Sequence, residues 1–280
     1  MQAGAAARPF LKWAGGKTQL LGPIARDLPA RIEGTYFEPF LGSGAVFFHL
    51  RAEGRVRGRA VLSDANAPLV ETWRAVKGRV EEVISHLERH RAAHARDPRG
   101  HYYGVRARVP RDPAARAARF IYLNKTCYNG LWRVNRAGRF NVPMGRYRDP
   151  PILDAENLRA VSAALRSAVL LLAPFDRALR RARRGDVAYV DPPYQPLSPT
   201  ANFTSYTAGR FGEEDQVALA DACAGLRRRG ARFLLSNHDT RWLRGIYGDR
   251  GFEVRSVPAR RAINSDPSAR GAVRELLVRG

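Results

Sequence analysis

The stretch that most constrains this chain is Val187-Ala188-Tyr189-Val190, which runs directly into Asp191, Pro192, Pro193 and Tyr194. Four apolar, β-favouring residues followed by an acid and two prolines read as a buried strand that ends abruptly in a rigid loop. Proline has no N–H and a fixed φ, so the carbonyls around Pro192 and Pro193 are kept out of helix and sheet and point outward. Asp191 therefore comes with a backbone acceptor beside it, and Tyr194 adds a flat face. Two acceptors and a stacking surface suit a planar amino group with two N–H donors, such as the exocyclic amine of adenine or cytosine, or an amide. The same four residues also make a stiff turn closed by an Asx-type hydrogen bond.

The N-terminal part supplies a second unit of the same kind. Thr35 to His49 reads strand, glycine turn, helix, and the turn Gly42-Ser43-Gly44 lets a ligand approach the backbone at a helix N-terminus. Phe47 stands where a dinucleotide fingerprint needs its third glycine, which disfavours NAD. A further strand, Ala60 to Ser63, ends in Asp64 about twenty residues after that turn, where a carboxylate grips ribose hydroxyls. Strand, turn, helix, strand and acid make an adenosine half-site, although Glu38 and Asp64 taken alone equally fit caps or surface acids. Earlier still, Gly15-Gly16-Lys17-Thr18 resembles the end of a phosphate loop, but Leu11 replaces the glycine that motif requires and no strand precedes it. Trp13, the Gly-Gly turn and Lys17 still suit a ligand carboxylate, with Lys17 opening an amphipathic helix that runs to about Leu28.

From Ala67 to about Leu153 the α/β alternation stops. Helical stretches at Leu69 to Val76, Val80 to Ala95 and Pro113 to Leu123 lead into an irregular run, Asn124 to Arg148, in which arginines interleave with Tyr128, Trp132, Phe140 and Tyr147. Such a surface is able to stack on bases, read their edges and hold phosphates, and the same run also fits a basic loop packed by its own aromatics. Charge agrees with this: 48 Lys+Arg against 26 Asp+Glu give a net +22, which calls for a polyanionic partner. Lysine is scarce, at Lys12, Lys17, Lys77 and Lys125, and two of these four fall within the Trp13 segment.

After residue 154 the rhythm returns, with strands at Val169 to Ala173, Val187 to Val190, Phe233 to Ser236, Phe252 to Val257 and Val273 to Val278, and helices near 154–165, 175–183 and 213–228. Together with the two early strands these make seven, the last two forming a closing antiparallel pair. Cys127 and Cys223 have no metal-site spacing, so free thiols, a reducing compartment and no metal are expected. The first ten residues lack an apolar signal region, and Val169 to Phe175 is too short to span a bilayer. The expectation is a soluble cytoplasmic protein.

The ordered set Phe10 to Lys17, Glu38 to Gly44, Asn124 to Asn135, Asp191 to Tyr194 and Ala201 to Tyr206 resembles the Dam-type DNA adenine-N6 methyltransferases and their Dpn-type restriction-modification relatives. Leu235 to Thr240 and Arg260 to Ser265 extend the likeness. The resemblance implies a Rossmann-like class I methyltransferase sheet of seven strands. Residues 1–66 and 154–280 would form the catalytic domain that binds S-adenosylmethionine, and 67–153 an inserted, mainly helical target-recognition domain. It sets the cofactor against Trp13, Lys17, Glu38, Gly42, Gly44, Asp64 and Asp191, S-adenosylhomocysteine being the product. Lys12 and Arg133 stand where guanine-contacting residues stand, and Tyr128 where an aromatic enters the DNA stack. Asn129, Leu131 and Pro143 lie along the same surface, and Arg146 and Tyr147 where backbone or flanking contacts fall. Met144 departs from the family's usual aromatic.

The implied reaction is methylation of a flipped adenine in double-stranded DNA, with GATC the expected site. Asp191 and the Pro192 carbonyl would accept the N6 hydrogens and Tyr194 would stack on the base, without any base of raised pKa. The enzyme would act as a monomer, either as an orphan or paired with a restriction endonuclease, in a bacterial cytoplasm or encoded by a phage. RNA, or the side-chain nitrogen of a protein glutamine, is the alternative substrate, and a DNA-binding protein without catalysis the alternative class.

Overall fold

The computed structural model describes residues 6–13, 15, 17, 19–194, 211–260 and 272–280. In chain order its elements are α1 (Leu21–Asp27), β1 (Tyr36–Glu38), α2 (Ala45–Ala52), β2 (Ala60–Asp64), α3 (Ala67–Gly78), α4 (Val80–Arg96), α5 (Pro98–Ala107) and α6 (Pro113–Thr126), then α7 (Ala155–Ala164), β3 (Ala168–Leu172), α8 (Phe175–Leu179), β4 (Val187–Val190), α9 (Glu213–Arg228), β5 (Arg232–His238), α10 (Arg241–Gly248), β6 (Glu253–Arg260) and β7 (Ala272–Arg279). A short 3-10 turn, Tyr128–Gly130, follows α6. The stretches 201–206 and 261–265 that entered the sequence comparison lie outside the described residues.

The seven strands form one sheet in the order β3-β2-β1-β4-β5-β7-β6. The five strands from β3 to β5 are parallel, and β7 enters antiparallel between β5 and β6. The expected closing pair is therefore present, and this is the class I methyltransferase arrangement. β4 sits at the centre because its four residues are all buried. Side chains alternate across a strand, so Val187 and Tyr189 enter the core on one face and Ala188 and Val190 the core on the other. β1 and β4 are neighbours, with β2 and β3 to one side and β5 to the other. That reversal of strand order leaves a crevice beyond the C-terminal ends of β1 and β4, where α/β sheets bind ligands.

α3 does two things at once. It packs on β2, β3 and α7, and its other side carries α4 and α6. One apolar core consequently runs from the sheet face through Trp73 and Val76 into Leu87, Tyr102 and Tyr122 of the helical layer. Two helices depart from the sequence reading. α5 has a readable start, since Asp97 caps it at the Gly100 N–H with Pro98 in the first turn, but only Tyr102 is buried, too little apolar periodicity to betray it. α10, capped by Thr240, is eight residues long and contains Gly245 and Gly248, which lower its helix propensity.

The helical layer holds a cluster of imidazoles. His90 Nδ1 and His101 Nε2 are 3.0 Å apart, the His90 ring stacks on Tyr122 at 4.9 Å, and His94 Nδ1 meets the Tyr122 hydroxyl at 2.9 Å. Burial, reinforced by His101, lowers His90 to about 4. A free imidazole titrates near 6.5, so from about pH 6.5 down to about 4 the unfolded chain binds more protons and stability falls with pH. Unfolding in urea is expected to show a loss of about 2 kcal/mol from this group between about pH 7 and 5. His90→Phe should reduce that difference, and an unchanged pH dependence in the variant would count against the assignment.

Candidate active site

The loop after β4 is held from several sides. Asp191 emerges at the strand end, where burial pushes its carboxyl up and Lys17, with Nζ 3.0 Å from Oδ1, pulls it back down. Ser236 on β5 donates to Asp191 Oδ1 at 3.0 Å and shares a 2.7 Å hydrogen bond with the Tyr189 hydroxyl. Tyr194 donates its hydroxyl to Glu275 Oε2 at 2.8 Å and accepts from Lys17, and its ring lies 4.3 Å from that of His238. Pro192 is buried, while Pro193 is exposed and its carbonyl is 3.5 Å from the amide nitrogen of the buried Gln216. The sequence reading needed no acid of raised pKa, yet burial makes Asp191 one.

Lys17 corrects a second expectation. It does not open the first helix, which begins at Leu21. It is 5 % exposed, and a buried ammonium must meet carboxylates, here Asp191 and, at 3.6 Å, Glu275.

The glycine turn is shaped by two tryptophans. Gly42 and Gly44 have φ of 47° and 66°, and a Cβ would come within 2.7 Å of Trp13 at Gly42 and 2.8 Å of Trp73 at Gly44. Trp73 Nε1 donates to the Gly42 carbonyl at 3.2 Å. Asp64 at the end of β2 accepts the N–H groups of Gly42 and Asn66, at 3.2 and 2.9 Å, and burial raises it to about 6. Glu38 is 3 % exposed and accepts from the Tyr36 hydroxyl at 2.6 Å; burial raises it to about 8, so it keeps its proton at neutral pH. It lies at the floor of the crevice beneath the turn.

The proposed reading surface is assembled around one buried amide. Asn124 is fully buried; its Oδ1 accepts the Lys12 N–H at 2.8 Å, and its Nδ2 donates to the carbonyls of Lys12 at 2.7 Å and Gly130 at 3.1 Å. Lys12 thereby lies on the turn that carries Tyr128, Asn129 and Leu131, with Nζ 3.9 Å from the Tyr147 ring centroid. Asn129 has φ of 53°, the one positive value at a non-glycine among the described residues. The Tyr128 N–H donates to the Pro143 carbonyl at 2.9 Å. Tyr128, Asn129, Pro143 and Arg146 are exposed, whereas Arg133 is half-buried and donates to Asn141 at 2.8 Å.

A cleft of about 880 Å³ adjoins this surface, between α3, α5, α6 and residues 132–141, with Arg106, Arg116 and Arg139 on its walls. The guanidinium of Arg119, also on the wall, donates to the Val105 and Arg106 carbonyls. Among the described residues no group of three or more His, Cys, Asp or Glu is arranged to hold a metal ion, and both cysteines are buried thiols, Cys127 pushed up to about 12. Glu275, Ser236, Gln216 and Asn124 were not singled out from the sequence. All four stood within stretches noted for other reasons, Asn124 and Ser236 in motif segments, Gln216 in the helix near 213–228 and Glu275 in the strand Val273 to Val278.

Comparison with known proteins adds an independent line. The profile of a family described as D12 class N6 adenine-specific DNA methyltransferase matches residues 13–263. The chain is 40% identical over 286 residues to the Type II methyltransferase M.MjaIII of Methanocaldococcus jannaschii, covering 97% of this chain and 98% of that protein. It is 39% identical over 273 residues to the DNA adenine methylase of Escherichia coli strain K12, covering 97% and 94% of the two chains. With the Type II methyltransferase M1.LlaDCHI of Lactococcus lactis subsp. cremoris it shares 37% identity over 279 residues, covering 97% and 94%.

The Asn124 clasp generates a test. Asn124→Ala leaves the Lys12 N–H and two buried carbonyls without their partner, and urea unfolding should report a loss of about 1–3 kcal/mol. A variant as stable as the wild type would show that the clasp does not hold the N-terminal segment.

Proposed function

The chain belongs to the D12 class N6 adenine-specific DNA methyltransferase family, and on that premise we propose that it methylates a flipped adenine within GATC using S-adenosylmethionine. The observation that carries this reading is Asp191. It is a largely enclosed carboxylate at the end of the central strand, beside a diproline of which only Pro193 is exposed and an aromatic ring, in the crevice of a class I sheet.

The crevice fits the cofactor by the chemistry of its donors. Asp64 retains unfilled acceptor capacity for ribose hydroxyls, Lys17 offers an ammonium for a carboxylate, and Trp13 offers an aromatic edge over the glycine turn. When bound, the cofactor supplies an electrophilic methyl group on a sulfonium. The chain's own residues do the rest. The adenine amino lone pair is delocalised into its ring, so the base must leave the stack and its nitrogen must lose planarity. Asp191 and the Pro192 carbonyl accept the two N6 hydrogens and favour that change, and Tyr194 stacks on the base. Burial raises the Asp191 carboxyl and Lys17 pulls it back down, and in its carboxylate form it stabilises the nitrogen as it becomes cationic and is placed to take its proton. Positioning supplies the acceleration without a covalent intermediate.

Residues 67–153 act as the target-recognition part and residues 1–66 with 154–280 as the catalytic part, in this reading. Lys12 and Arg133 contact guanines, Tyr128 enters the stack, and Asn129, Leu131, Pro143 and Arg146 complete the surface. The clasp of Lys12 onto the Tyr128 turn supports this grouping, since it joins residues 112 apart in sequence.

Three measurements test the proposal. Asp191→Ala should bind duplex DNA like the wild type while methyl transfer falls at least about 100-fold; wild-type turnover would remove Asp191 from the mechanism. With labelled cofactor, N6-methyladenine should form in duplexes containing GATC and not in GAAC controls, and label spread over other adenines would overturn the roles of Lys12 and Arg133. Affinity for DNA should fall with salt with a slope of about −0.9 in log K per phosphate neutralised, and a flat response would exclude the basic surface as the DNA face.

A further inference from the structure

One half-buried carboxylate beside Asp191 has no part in the reaction just described. Glu275 comes from β7, which pairs antiparallel with β5 in the register that sets Glu275 opposite His238. Residues opposite each other in such a pair point to the same face. Both side chains meet Tyr194: the Glu275 carboxylate accepts a hydrogen bond from its hydroxyl at 2.8 Å, and the His238 ring lies 4.3 Å from its ring at 54°. The hydroxyl has one proton, and giving it to Glu275 turns the oxygen lone pairs toward Lys17, which donates to them. Lys17 in turn reaches both Asp191 and Glu275.

Neutralising Lys17 does not account for this arrangement. Asp191 is already 3.0 Å from the ammonium, and the Glu275 side chain is only 15 % exposed. A second carboxylate in the same cluster leaves it one charge negative and pushes Asp191 further up. An arrangement that is electrostatically costly at a strand end, yet makes a directed bond to Tyr194, serves the geometry of that ring.

We infer that Glu275 is a positioning residue for methyl transfer: its carboxylate fixes the Tyr194 hydroxyl and the Lys17 ammonium, and so sets the plane of the Tyr194 ring relative to Asp191. It touches no substrate atom and acts through Tyr194. The inference rests on the assignment of Asp191 and Tyr194 to the reacting base made above.

The test is a double-mutant cycle on the full chain with Tyr194→Phe, read as kcat with cofactor and GATC duplex both saturating. Glu275→Ala should lower kcat by about 10- to 100-fold, as expected when a reacting partner is slightly misplaced. Tyr194→Phe made in that background should add less than about twofold, because the shared bond is already lost. Glu275→Gln keeps an acceptor for the hydroxyl and should recover part of the loss; it also carries the test should the alanine variant fail to fold. Cofactor affinity by calorimetry and DNA affinity by anisotropy should stay within about threefold of wild type, the loss falling on kcat rather than on binding. Unchanged kcat in Glu275→Ala, full additivity with Tyr194→Phe, or no recovery by glutamine would each overturn the inference. Asp191→Ala is measured alongside. If it turns over normally the site assignment itself fails; if it is inactive while Glu275→Ala is unaffected, only the role of Glu275 fails.

Discussion

The crevice depends on how two carboxyl groups share one ammonium while a third keeps its proton. Glu38 and Asp191 at the ends of β1 and β4 converge with Glu275 from within β7, in surroundings too dry for three negative charges. Glu38 resolves its share by keeping a proton and binding Tyr36, and Lys17 stands between the other two. The consequence for folding is local: Lys17 is held beside the loop after β4 instead of opening α1. The consequence for chemistry is that Lys17 opposes the burial that raises the Asp191 carboxyl.

Much of this was legible because it is written in short-range chemistry. A diproline after four β-formers ends a strand wherever it occurs, and glycines at 42 and 44 announce a left-handed turn. Asp64 followed from its spacing to that turn. The basic, aromatic run from Asn124 to Arg148 was recognisable by composition, but of its four aromatics only Tyr128 is exposed, while Trp132 and Phe140 are buried in the core.

What escaped the sequence escaped for one physical reason. Glu275 owes its importance to a cross-strand register, Ser236 to the neighbouring strand, Gln216 to a helix that packs behind the loop, and Asn124 to a segment over a hundred residues away. A glutamate in an alternating strand reads as a solvated residue until the partner strand is known. Lys17 misled in the opposite direction, since helix propensity extended α1 backward over a residue that tertiary charge pairing had claimed.

The apolar core that passes through α3 without a break, together with the Asn124 clasp, bears on how such proteins diverge. A recognition segment joined by a flexible hinge could be exchanged between relatives as one cassette. Here Lys12 lies outside residues 67–153 yet is built into their surface, and Trp73 within them shapes the glycine turn of the sheet. On the proposed roles of Lys12 and residues 67–153, transplanting a sequence preference onto this scaffold requires moving two separate pieces of chain together, and drift in either piece is constrained by the other.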